Sequence, residues 1–107
     1  MEQIVIVAYR AHPGKEERLA ELLKKHVSVL RSEGLATERP PLFLTSEDGA
    51  FVEIFGWVSQ AAIDAAHTNP SVQALWGEFA ETCEYEVLSN VAPAQRLFSQ
   101  FTPLDPL

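Results

Sequence analysis

Apolar residues alternate on both faces of two stretches of this chain. In 51–58, Phe51, Phe55 and Trp57 point one way with Glu53 among them, while Val52, Ile54 and Val58 point the other way with Gly56. Side chains alternate across a strand, so this pattern predicts a strand covered on both sides. Residues 3–10 repeat it, with Ile4, Ile6 and Ala8 against Val5, Val7 and Tyr9, the pattern of a central strand. His12-Pro13-Gly14 ends that strand and the period changes. Leu19, Leu22, Leu23, His26, Val27 and Leu30 fall at helical spacing, with Glu16, Glu17, Lys24 and Arg31 outside the stripe. The helix predicted over 14–33 stops at Gly34, a residue suited to a left-handed cap.

The second half repeats the alternation of elements. Pro40-Pro41 places the short strand 42–46 at a sheet edge. Asp48-Gly49 between two apolar runs predicts a hairpin into 51–58. Ser59 is placed to cap a short helix over 61–67, and Asn69-Pro70 to start another. In that second piece Val72, Leu75, Trp76, Phe79, Ala80 and Cys83 share a stripe. Residues 84–89 read as a last strand, with Tyr85 and Val87 on one face. The order is β-α-β-β-α-β. It predicts an α+β, ferredoxin-like fold: a four-stranded antiparallel sheet with the helices on one face. Residues 1–107 form one domain with its core in 3–89. The tail 90–107 carries Leu97, Phe98, Phe101 and Leu104 and is expected to pack on the core or a partner. On this reading the helices cover one face, and the other would expose Tyr9, Phe43, Phe51, Phe55 and Trp57. An apolar patch of that size calls for a second chain or a ligand, and an isologous homodimer is the simplest cover.

Composition narrows the function. The chain has 107 residues and a net charge of −7, with 47% apolar residues. Such an acidic chain offers no basic patch for nucleic acid or an anionic membrane surface. No apolar run approaches the roughly 20 residues that span a bilayer, and the start lacks the basic and apolar segments of a signal peptide. A single cysteine, Cys83, excludes an intrachain disulfide and a cysteine-rich metal site. Three scattered histidines make no metal site, and there is no glycine-rich phosphate loop. A cytoplasmic domain without cofactor is the consistent expectation.

The run RSEGLATERPPLFLTSEDGAFVEIFGW, followed by His67, Asn69-Pro70 and an aromatic-rich helix, resembles the antibiotic biosynthesis monooxygenase (ABM) domain family. The resemblance covers roughly residues 4–89. It implies a protomer whose sheet pairs with a partner's into a dimeric α/β barrel, with a pocket between sheet and helices. Family members include cofactor-independent quinone-forming monooxygenases and haem-degrading enzymes. Many members have a glutamate one or two positions before the tryptophan; here those positions hold Phe55 and Gly56. The first strand lacks the asparagine of the haem-degrading branch, and no histidine follows Trp76, which points away from haem. The resemblance thus implies a monooxygenase acting on a small planar phenol or quinol, with a non-catalytic binding module of the same fold as the alternative.

Seven side chains could carry that chemistry, and an eighth, Phe79, is a candidate for the substrate wall. His67 can act as general base, or simply bond the last carbonyls of its helix. His26, on the apolar stripe of the first helix, is either a hydrogen-bonded core residue or a ligand contact. Trp57 and Trp76 can stack on a planar substrate, with Phe55 beside them, or serve as core. Tyr9 can donate to a substrate oxygen or lie at the dimer seam. Glu53 stands among aromatics. Burial would raise its pKa unless a cation, Arg10 or Arg39, pairs it. It is either a functional carboxylate orienting the substrate or one end of a salt bridge across the interface.

Overall fold

The computed structural model describes residues 1–104; the last three residues of the tail lie outside it. The chain runs β1 (Gln3–Ala11), α1 (Glu16–Ser32), β2 (Leu42–Thr45), β3 (Phe51–Trp57), α2 (Gln60–Ala66), α3 (Pro70–Thr82) and β4 (Cys83–Glu86), then two short 3-10 turns and β5 (Thr102–Pro103). The sheet is antiparallel in the order β4-β1-β3-β2-β5. Among the described residues no helix is long and apolar enough to cross a membrane.

Local chemistry sets the boundaries. Gly34 and Gly49 both take positive φ, one just past the end of α1 and one in the β2–β3 hairpin. The Ser59 hydroxyl accepts from the Ala62 N–H at the start of α2. The Asn69 side chain accepts from the Val72 N–H at the start of α3, with Pro70 in the first turn.

Three expectations about the sheet need correction. The sheet has five strands rather than four, because the tail returns along β2 with Thr45 opposite Thr102 and Leu44 opposite Pro103. A proline is tolerated there because β5 is itself the edge. The strand expected over 84–89 ends at Glu86, and a 3-10 turn takes up Leu88–Asn90. The largest correction concerns the faces. Val5 stands opposite Phe55, Val7 opposite Glu53, Tyr9 opposite Phe51 and Phe43 opposite Glu53, so these residues share one side of the sheet. That side lies under the helices. Tyr9, Phe51, Phe55 and Trp57 are buried within the protomer, and Phe43 packs against the same core. Burial free energy scales with apolar area, so the face with the larger side chains turns toward the α1 stripe.

The outer face carries smaller residues. Ala8 and Val52 are covered by Val91, with Leu44, Ile54, Ala94 and Phe101 beside them. The tail therefore packs on the core through Val91, Phe101 and Leu104, whereas Leu97 and Phe98 are exposed, contrary to expectation. The other half of this face is bare: Ile4, Ile6 and Leu42 are each about half exposed (49%, 50% and 50%). The Arg10 guanidinium pairs with Asp48 and Glu86, and Asp48 also accepts from the Ala92 N–H, which fastens the tail to the hairpin. Hydrogen bonds from Ser46, Ala92 and Arg10 hold the Asp48 carboxyl far below the usual range.

Candidate active site

A cavity of about 440 Å³ opens between the helices and the sheet. Val5, Val7, Phe55 and Trp57 form its floor, Tyr9 and Tyr85 one end, and His26, Ile63, His67, Gln73 and Trp76 the helical side. Pockets of this size, apolar with a few polar groups, suit small organic ligands.

A chain of hydrogen bonds runs through one wall. The Tyr9 hydroxyl donates to Glu53 Oε1 at 2.6 Å. His26 Nδ1 lies 2.8 Å from Glu53 Oε2 and 3.1 Å from Oε1. The Trp76 indole N–H donates to His26 Nε2 at 3.0 Å. An indole nitrogen only donates, so Nε2 carries a lone pair and Nδ1 carries the proton. The imidazole is therefore neutral and donates through Nδ1 to Glu53, which bears the negative charge of the group. Burial and then the charge of Glu53 push the Tyr9 hydroxyl far above its ordinary pKa, so it remains a phenol and a donor.

Glu53 is fully buried, and neither arginine reaches it: Arg10 is held by Asp48 and Glu86, Arg39 by Glu2. Two neutral donors take the place of the expected cation, and the carboxylate lies in the protomer interior rather than at a seam between chains. Two charge-assisted hydrogen bonds compensate it for lost water. Glu53 is also absent from the cavity wall, where Tyr9 and His26 screen it. Phe79 is likewise no wall residue. It is fully buried, stacked on Tyr9 (ring centroids 5.5 Å apart) and edge-on to His26 (5.0 Å).

His67 follows the last residue of α2. Its Nδ1 lies 2.9 Å from the Ile63 carbonyl oxygen. A carbonyl only accepts, so Nδ1 carries the proton and Nε2 is left as a lone pair. Among the described residues Nε2 has no hydrogen-bond partner. The ring is exposed, lines the cavity, and stands edge-on to Trp76 at 5.6 Å. The helix-end bond and a free base nitrogen thus coexist on one ring.

The structure brings Tyr9, His26, Phe55, Trp57, His67 and Trp76 to one cavity. Sequence reasoning missed Ile63 and Gln73, which precede His67 by four residues and Trp76 by three. One helical turn back from a wall residue is the signal that finds both.

Solved structures that share this fold include two from bacteria. Rv0793 from Mycobacterium tuberculosis is 22% identical, with a TM-score of 0.62 over 82% of this chain and 93% of that one. NE2512, a protein of unknown function from Nitrosomonas europaea, is 20% identical, with a TM-score of 0.56 over 80% of this chain and 86% of that one. At such identities the likeness is one of fold. No family model and no curated protein matches the chain.

Proposed function

We propose that this chain is a cytoplasmic, cofactor-independent monooxygenase of the antibiotic biosynthesis monooxygenase type, acting on a small planar phenol or quinol. The observation that carries the reading is the unpartnered Nε2 of His67 at the wall of an aromatic cavity. Trp57 and Trp76, nearly perpendicular to each other, wall the substrate ring on two sides, and His67 takes the phenolic proton. The phenolate passes one electron to O₂, and the resulting pair recombines at the para carbon. His67 returns its proton to the peroxide, whose O–O bond then breaks as the para hydrogen leaves. For 1-naphthol the sum is 1-naphthol + O₂ → 1,4-naphthoquinone + H₂O. The hydroxyl carbon and the para carbon end as carbonyls, and O₂ is reduced to one quinone oxygen and one water.

Incubation with 1-naphthol under ¹⁸O₂ is expected to place one labelled atom in the quinone and the other in water. Binding of 1-naphthol without oxygen uptake would instead establish the second reading, a dimeric binding module. The closed hydrogen-bond chain of Tyr9, Glu53, His26 and Trp76 favours that second reading, because its polar groups are already satisfied.

The proposal includes a ferredoxin-like protomer that pairs with a twin into a dimeric α/β barrel. The bare strip of Ile4, Ile6 and Leu42 is the contact surface, since Ile6 and Leu42 both stand opposite Ile54 and form one continuous patch. Among the described residues nothing covers it fully, and a self-complementary patch suits a two-fold dimer. Ile6→Asp is expected to convert a dimer to a monomer by light scattering, with unchanged circular dichroism. A wild-type protein that stays monomeric at high micromolar concentration would remove the barrel from the proposal.

A further inference from the structure

We infer that His26 is a masked acceptor that selects ligands bearing a hydroxyl or N–H donor, and that Trp76 is the cap such a donor displaces. The inference rests on the cavity being a seat for a small planar aromatic, and it adds which ligand atom meets the protein there. The Glu53 carboxylate accepts from His26 Nδ1 at 2.8 Å, which fixes the proton on that nitrogen and leaves Nε2 as a lone pair. Tyr9 holds Oε1 of the carboxylate at 2.6 Å, so the carboxylate is fixed in turn. A hydrogen-bonded carboxylate behind an imidazole orients the ring and strengthens its free nitrogen as an acceptor.

In the closed site the Trp76 N–H occupies that lone pair at 3.0 Å. The two partners differ in freedom. His26 is buried, with Phe55 edge-on at 5.5 Å and Phe79 edge-on at 5.0 Å. Trp76 also packs against the core, but it is only half-buried, and its ring contacts with Trp57 and His67 are T-shaped at 6.4 Å and 5.6 Å. The indole is therefore the partner with room to turn. Once it turns, a bare lone pair remains in an apolar site, which costs free energy until another donor arrives. A phenolic O–H supplies that donor in the resting complex, before the same proton passes to His67 in turnover. An ether or ketone oxygen sets lone pair against lone pair and is rejected. Sites built to hydrogen-bond a hydroxyl discriminate strongly against analogues that lack it.

The test is anaerobic calorimetric titration with 1-naphthol and 1-methoxynaphthalene, so that no oxidation runs. Wild type is expected to bind 1-naphthol about ten- to a hundredfold more tightly than the ether. Trp76→Phe removes the competing N–H, so 1-naphthol is expected to tighten while the ether does not, and the ratio widens. Glu53→Gln lets a carboxamide N–H donate to Nδ1, which moves the imidazole proton to Nε2 and abolishes or reverses the preference. Imidazole ¹⁵N resonances are expected to show bare Nε2 on His26 in wild type. Equal affinity for the two ligands in wild type, or a protonated Nε2 there, overturns the inference, and Trp76→Phe decides the matter if Glu53→Gln does not fold. Equal affinities with oxygen uptake intact would sink this inference alone. Binding of neither ligand would sink the functional reading as well.

Discussion

Glu53→Ala is expected to lower stability by about 3–5 kcal/mol, a cost typical of removing one member of a buried charged network. The carboxylate is fully buried and accepts from both Tyr9 and His26. Alanine leaves two donors orphaned in a dry interior, each costing about 1–3 kcal/mol, and adds a small void. For a domain of this size that corresponds to a fall in melting temperature of more than about 12 °C. Tyr9→Phe removes one hydrogen bond to a charged group and leaves His26 paired, so a smaller loss of about 1.5–3 kcal/mol is expected. Urea denaturation followed by circular dichroism measures both. A Glu53→Ala protein within about 1 kcal/mol of wild type would mean that the buried network contributes nothing to the fold.

His67→Ala is expected to reduce turnover of 1-naphthol by about 10²- to 10⁴-fold, the usual contribution of a positioned general base. The side chain is exposed and makes one hydrogen bond, to the Ile63 carbonyl, so the fold should lose no more than about 1 kcal/mol. The two readouts separate: an oxygen electrode reports a large loss while thermal melting barely moves. Full turnover in this variant would remove His67 from the chemistry. The expected contrast with Glu53→Ala is informative, because one substitution acts on rate and the other on stability, although His67 meets Trp76 and Glu53 meets His26, and Trp76 and His26 are bonded to each other.

Much of the architecture was legible because local rules decide it. The α1 stripe from Leu19 to Leu30, the Asp48-Gly49 hairpin and the Ser59 and Asn69 caps are short-range signals, and each element formed where they predict. The faces of the sheet were not legible. Both sides of β1 and β3 are apolar, and alternation says which residues travel together without saying which set meets the helices. Side-chain size was the missing discriminator: Tyr9, Phe55 and Trp57 lie under α1 and α3, and Ile4 and Ile6 outside. The site was partly legible for a similar reason. His26 and Glu53 each stood out as polar residues on apolar stripes. Their meeting at 2.8 Å joins residues 27 positions apart, which no local pattern encodes. Phe79 was misplaced because a helical stripe cannot separate a residue at the cavity wall from one a layer deeper.

The position of β1 inside the sheet, between β4 and β3, has a consequence for biogenesis. Synthesised before its partners, β1 is bonded on one side to β3 and on the other to β4, whose residues lie 44 and 76 positions later in the pairs Tyr9–Glu53 and Arg10–Glu86. Contacts so distant in sequence slow folding. Until they form, the run from Ile4 to Ala8 is an uncovered β-forming segment of the kind that associates with its neighbours on other nascent chains. Glu2 and Arg10 bracket that run, and flanking charges are the device by which sequences keep such segments apart during synthesis.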